Sequence, residues 1–376
     1  MSETERLARV ALNKLTEPGD PRVAQLVAEL GAVRLHDLLV HEQGSDSLSS
    51  EVVTRLGDLD PAAALDRAAT LGLRYVIPGD DEWPHQLDDL MRAELLHERG
   101  GPPLGLWVKG PRRLDELAGS VAVVGARSAT TYGAEVAAAI AGALTRAGHP
   151  VVSGAAFGID HAAHRGALAA GGPTIAVLAC GADRAYPVAH KELLDHLGRT
   201  STVVAEVPPG CAPTRGRFLS RNRLIAALTA GTVVVEAASR SGALNTANWA
   251  TRLNRHVMAV PGPVTSAQSE GAHHLLRSGA ATLVTRGEEV LELVGEAGTH
   301  LVTAPQAPAC RRDSLTRTMQ RILDAVPFAQ PAPVDSIAST AGLGLVEVSS
   351  GLTRLHRLEL VERSPLGWRL TRAAQS

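Results

Sequence analysis

Four arginines crowd the segment from Pro208 to Arg223: Arg215, Arg217, Arg221 and Arg223. No acid stands among them, and Phe218 sits at their centre. Guanidinium forks grip phosphates. A lone aromatic ring beside them offers a face on which a base can stack. The combination suggests a site for single-stranded nucleic acid, with Phe218 presented from a loop. The plainer alternative is a solvated basic loop, a frequent fate of like-charged runs.

Other chemistry-bearing residues sit where a strand would hand over to a helix. Val123-Val-Gly125-Ala-Arg127-Ser128 leads to Tyr132-Gly133. A glycine after a strand, then small polar residues before a helix, presents N–H groups to an anion. Arg127 adds a charged fork, so this turn reads as a phosphate pocket, the alternative being a plain tight turn. The next turn is Ser153-Gly154 through Phe157-Gly158-Ile-Asp160 to His164. Ser153 and Gly154 suit close backbone approach. Asp160 and His164 share a helix face and could be a base with its orienter. No nucleophile accompanies them, so a helix-capping carboxylate and a packing histidine is the favoured reading. In Gly181-Ala-Asp183-Arg184, the arginine could reach a phosphate or be neutralised by its neighbour. The last turn, Glu236-Ala-Ala-Ser-Arg-Ser241-Gly242, offers hydroxyl and N–H donors at Ser241 and Gly242. Glu236 there could touch a sugar or base, or cap a neighbouring helix.

These turns need a frame that gathers them. Short apolar runs at Val121–Val124, Val151–Val152, Thr174–Leu178, Thr202–Ala205, Thr232–Val235, Val257–Val260 and Thr282–Val284 alternate with helical patterns. Near-continuous apolar strands separated by helices predict a parallel sheet covered on both faces. The fold class is therefore α/β, with a doubly wound, Rossmann-like sheet whose ligands bind at the strands' carboxyl ends. Residues 1–70 read as a small helical domain built of helix-turn-helix pairs (SAM- or HhH-like), with one short helix over Glu51–Leu56. Residues 71–297 form the Rossmann-like domain. Residues 298–311 are a proline- and alanine-rich linker. Residues 312–376 read helix, helix, helix, hairpin, a winged-helix order. The helix in its recognition position carries Glu347 near its start and arginines only at its end. A groove-reading helix needs basic and polar residues at the start, so this tail is expected to be a protein-contact or regulatory module, or a weak auxiliary duplex binder, rather than a sequence-specific reader.

Composition narrows the classes. Only three of the 37 basic residues are lysine, and the net charge is −2, so any nucleic-acid footprint must be local. Cys180, Cys211 and Cys310 have neither disulfide-frame nor metal spacing. No metal or cofactor is expected. The charged start and the lack of a long apolar run predict a soluble, cytoplasmic protein without membrane contact. GxGxxG is missing, which disfavours a nicotinamide oxidoreductase. Pro-Gly-Gly-x-Gly-Thr is missing too, which disfavours a nucleotide-cleaving phosphoribohydrolase, the rival reading from the enzyme class.

In this order, Gly125-Ala-Arg127-Ser with Tyr132-Gly133, Ser153-Gly154 through Gly158-Ile-Asp160 with His164, Tyr186-Pro187, Phe218-Leu-Ser-Arg221-Asn222-Arg223, Glu236-Ala and Ser241-Gly242-Ala resemble the DNA-processing protein A family (DprA, also called Smf). The resemblance is close over about residues 70–297. It implies a single-stranded DNA-binding recombination mediator, not an enzyme, that protects incoming strands and hands them to the RecA recombinase in natural transformation. A homodimer is implied as well. Gly125, Arg127, Ser128, Ser153 and Gly154 would line a phosphate pocket, and Phe218 would stack a base beside Arg215, Arg221, Asn222 and Arg223. Tyr132, Gly133, Gly158, Asp160, His164 and Glu236 would be structural motif residues. Ala155 and Phe157 stand where the family commonly has leucine and arginine, and His273 where asparagine is frequent.

Overall fold

Runs of four or five β-branched and small apolar residues have too little polar surface to lie at a surface. They become strands covered on both faces. The computed structural model describes residues 2–41, 60–301 and 311–374, which divide into two compact units on either side of 302–310. The expected helix over Glu51–Leu56 and most of the expected linker lie outside the described residues.

The first unit opens with helices α1 (Glu3–Leu15), α2 (Pro21–Leu30), α3 (Ala32–His41) and α4 (Pro61–Thr70), then strands β1 (Leu73–Val76) and β2 (Leu106–Lys109). There follow β3 (Val121–Val124), α5 (Thr131–Arg146), β4 (Val151–Ser153), α6 (Ile159–Ala169), β5 (Thr174–Leu178), α7 (Lys191–Thr200) and β6 (Thr202–Ala205). The chain continues through α8 (Arg215–Ala227), β7 (Gly231–Val234), α9 (Gly242–Arg252), β8 (His256–Ala259), α10 (Glu270–Arg277), β9 (Thr282–Leu283) and α11 (Gly287–Val294). All nine strands join one sheet in the order β1-β2-β6-β5-β4-β3-β7-β8-β9. From β6 to β9 every pairing is parallel. β1 and β2 add an antiparallel edge, which their short apolar runs alone did not specify.

The alternation along β3 shows why both faces are covered. Val121 and Val123 pack with Ile140, Leu144 and Ile159 on one side. Ala122 and Val124 pack with Leu224, Ile225 and Trp249 on the other. Each fully buried valine of this kind contributes roughly 1.5–3 kcal/mol. The winding starts at β3, runs outward to β6, then returns through α8 to place β7 on the other side of β3. That reversal makes a crevice between the β3 and β7 ends, the usual ligand position in such sheets.

The helical head is tied to the sheet by buried polar contacts. Trp107 Nε1–H donates to Asn13 Oδ1 at 2.9 Å, and Asn13 Nδ2 donates to the Glu206 carbonyl at 2.9 Å. Both side chains are buried, so each bond spares a donor the cost of desolvation without a partner.

The second unit has α12 (Arg317–Ala325), α13 (Val334–Ala341), α14 (Leu345–Arg357) and a hairpin of β10 (Val361–Ser364) and β11 (Gly367–Leu370). Its own core centres on Ile322, Ile337, Leu352, Leu355 and Trp368. The start of α14 exposes Leu345 and Val346 rather than basic residues.

Candidate nucleic-acid interface

Four chain segments converge on the β3/β7 crevice: the loops after β3, β4 and β7, and the first half of α8. They enclose a cleft of about 380 Å³. Its lining includes Gly125, Arg127, Ser128, Asp160, Phe218, Arg221, Asn222, Ser241 and Gly242. Ala156 and Arg240 line it as well, and neither was singled out in the sequence. The signal for Arg240 was present: it directly precedes Ser241-Gly242 in a turn already read as a phosphate contact.

Phe218 lies on a helix, not in a loop. Thr214 caps α8 by accepting from the Arg217 N–H, and the chain is helical from Arg215 onward. The Phe218 ring is half-buried, with the Arg127 guanidinium 4.7 Å from its centroid and the Tyr186 ring at 5.7 Å. A cation over a ring face fixes both groups. Arg127 and Arg240 are both exposed. Among the described residues neither has a hydrogen bond or ion pair to an acid. They stand on opposite sides of the crevice, one after β3 and one after β7.

Helical periodicity separates the four arginines of the basic run. Arg215 is exposed but does not line the cleft. Arg217 forms a two-pronged ion pair with Glu17 at 2.7 and 3.0 Å. Arg221 forms the floor of the cleft. It is 7% exposed, and its Nη1 donates to the carbonyls of Gly154 and Val177. Its Nε donates to Asn222 Oδ1 at 3.2 Å, and Asn222 Nδ2 donates to the Gly242 carbonyl at 3.2 Å. That bond ties α8 to the start of α9. Arg223 is fully buried and points away, gripping Glu206 at 2.5 and 2.6 Å and the Gly101 carbonyl at 3.1 Å. It is therefore a structural residue and has no path to a phosphate. This corrects the expectation drawn from the motif.

The amide pocket expected after β3 already holds an anion. Glu236, 1% exposed, accepts from the Thr130 N–H at 2.9 Å and from Thr130 Oγ1 at 2.5 Å. Its carboxylate fills the anion position at the start of α5, where the helix dipole favours negative charge. A side chain at Gly133 would put a Cβ 2.3 Å from that carboxyl carbon. Tyr132 donates to the Pro261 carbonyl at 2.7 Å.

Ser153 and Gly154 are likewise committed. Ser153 Oγ donates to the Val123 carbonyl at 2.7 Å, and the Gly154 N–H donates to Asp160 Oδ2 at 3.1 Å. Neither lines the cleft. The expected phosphate role of this pair is replaced by a role in holding the β4–α6 loop. Gly158 caps α6 with φ of 76°, where a Cβ would meet the Ala126 carbonyl at 2.2 Å. Burial pushes the Asp160 carboxyl above its ordinary pKa, against the opposing pull of Arg221 and of N–H groups at Ala156, Gly154 and Gly125.

The donors left at the cleft among the described residues include the Arg127 and Arg240 forks, the Ser128 hydroxyl and the start of α9, whose first turn holds no acid. This set can neutralise phosphate oxygens while the Phe218 ring meets a base. Among the described residues no group of three or more His, Cys, Asp or Glu could hold a metal ion, and no helix is long and apolar enough to cross a membrane.

His164 gives the protein a pH dependence. It is fully buried, with Nδ1 2.7 Å from Thr174 Oγ1. Burial, followed by the positive fields of His161, His190 and Arg221, lowers its pKa to about 3. The unfolded imidazole has a pKa of about 6.5. The unfolded state therefore binds the proton more readily. The stability from this group is complete above about pH 6.5 and falls by up to about 1.4 kcal/mol per unit between there and pH 3. His164→Gln should flatten the pH dependence of the melting temperature below pH 6.5 relative to the parent. Parallel curves for the two proteins would refute the assignment.

The family model described as DNA recombination-mediator protein A matches residues 74–295. A Mycobacterium tuberculosis protein bearing the DprA name is 42% identical over 366 residues, 96% of this chain and 93% of its own. Protein Smf of Synechocystis is 30% identical, covering 84% of each chain. The crystal structure of DNA processing protein A from Streptococcus pneumoniae superposes with a TM-score of 0.63 at 32% identity, over 77% of this chain and 97% of that one. DNA processing protein A from Helicobacter pylori, whose structural study concerns its single-stranded DNA binding mode, superposes with a TM-score of 0.50 at 26% identity, over 58% of this chain and 94% of that one.

Proposed function

Because the chain belongs to the DNA recombination-mediator protein A family, we propose that the β3/β7 cleft binds single-stranded DNA and that the protein delivers the bound strand to a RecA-type recombinase. One observation carries this reading: two arginines without an acidic partner among the described residues, Arg127 and Arg240, flank a half-buried phenylalanine at the switch point of the sheet. The forks take successive phosphates and the ring takes a base, which requires a base that is not paired in a duplex. The Helicobacter pylori relative, studied for its single-stranded DNA binding mode, supports single-stranded DNA as the ligand. Protection of the strand, delivery to RecA and assembly as a homodimer are the further parts of the proposal, as is the division into head, Rossmann-like domain, linker and winged helix.

The geometry gives less support to the rival, a nucleotide-cleaving enzyme. Such an enzyme needs a carboxylate free to act at the cleft. Glu236 is sealed against Thr130, Ser153 and His164 are bonded inside the protein, and Asp160 is held by the β4–α6 loop.

The test is binding to matched single-stranded and duplex oligonucleotides over a salt series. Strong binding to the single strand is expected, with a log–log salt slope of about −0.7 for each phosphate contact. Equal or tighter binding to the duplex would overturn the proposal.

A further inference from the structure

Phe157 is 48% exposed in a chain with only three phenylalanines. It follows Ala156, a cleft-lining residue, so it stands on the lip rather than inside. Its mount is rigid. The ring meets the His190 ring at 4.7 Å, inclined at 68°. His190 is 5% exposed, stacks on His161 at 4.5 Å and places Nδ1 2.9 Å from the Ala155 carbonyl. An aromatic ring fixed on one side and open on the other is what a stacking platform requires.

The same lip carries a second open ring. Tyr186 is 42% exposed and meets Phe218 at 5.7 Å. It lies four residues before His190 in one loop, so that loop joins the ring beside the cleft to the mount of Phe157. Positive charge flanks Phe157 on its own segment. Arg165, exposed on α6 and without a described ion pair, lies one helical turn after His161. Burial, and then the fields of His190 and Arg165, lower the proton affinity of His161. From Ser153 to Arg165 the only acid is Asp160, whose carboxylate is turned inward.

We propose that Tyr186 and Phe157 form a second base-stacking subsite, which receives the nucleotides of a single strand as it leaves the cleft past Phe218. The proposal rests on the reading of the cleft as a single-strand site. The contact of Tyr186 with the Phe218 ring, and the flanking arginine, favour a nucleic acid over an apolar protein segment. Sequence-independent strand binding combines a basic track with successive aromatic faces.

The full-length protein and its variants would be titrated with oligothymidylates of increasing length at one salt concentration. Phe157→Ala should bind the shortest binding oligomer as the parent does. On longer ones it should lose about tenfold, the equivalent of one base stack. In Phe157→Trp the indole fluorescence should be quenched by long oligomers and not by the shortest. If Phe218→Ala weakens binding at all lengths while Phe157→Ala matches the parent throughout, the subsite is wrong and the cleft stands. If Phe218→Ala and Arg127→Ala also match the parent, the cleft reading fails, and the subsite with it. Unchanged DNA binding together with lost self-association in Phe157→Ala would make the lip a protein contact and overturn the proposal.

Discussion

Arg223→Ala should destabilise the protein by about 3–5 kcal/mol, the usual cost of breaking a buried ion pair from one side. The guanidinium is fully buried and bonded to Glu206, the Gly101 carbonyl and the Ser220 carbonyl. Removing it strands the Glu206 carboxylate, whose backbone carbonyl also receives Asn13 of the head. The melting temperature should fall on the order of 10 °C. Replacing both partners with methionine should recover much of that loss, because no unpaired charge then remains inside. The folded fraction of Arg223→Ala should keep the parent's salt slope for single-stranded DNA. A stable variant with a slope reduced by one phosphate contact would return Arg223 to the DNA site and sink this account.

That residue also shows where sequence reasoning stops. The doubly wound sheet was legible because an apolar run covered on both faces leaves a plain mark, and six such runs recur between Val121 and Val260, while the seventh gives an exposed edge strand at Thr282–Leu283. The gathering of strand-end turns followed from the topology of any such sheet. The roles of single side chains did not. Arg221 and Arg223 are two positions apart, and a helix turns them to different sides, one to the cleft floor and one into the core. Whether an arginine meets solvent or an internal acid depends on Glu206, which no local pattern connects to Arg223. Glu236 poses the same problem in reverse. The N–H groups after β3 look like a phosphate cradle until a carboxylate from the β7 turn is found occupying them. Arg240 is a single arginine in a short turn, and only the pairing of β3 with β7 brings that turn to the crevice beside Arg127.

Arg127→Ala together with Arg240→Ala should weaken single-strand binding at least tenfold at about 0.1 M salt and flatten the log–log salt slope by about 1.4, twice the value of one single-strand phosphate contact. Both side chains are exposed and neither has an acidic partner among the described residues, so the melting temperature should not move. The two arginines stand on different loops across the crevice, and their effects on affinity should therefore add. Arg127 should not add to Phe218, because its guanidinium lies over that ring at 4.7 Å. Once Phe218 is alanine, loss of Arg127 should cost less than it does in the parent. Arg127→Lys separates the two contributions. It keeps the charge and hence most of the salt slope, but gives up the planar stack on the ring. Its affinity should fall between those of the parent and Arg127→Ala. Full affinity and an unchanged slope in the double alanine variant would mean that the phosphates lie elsewhere, and the β3/β7 cleft would no longer be the DNA site.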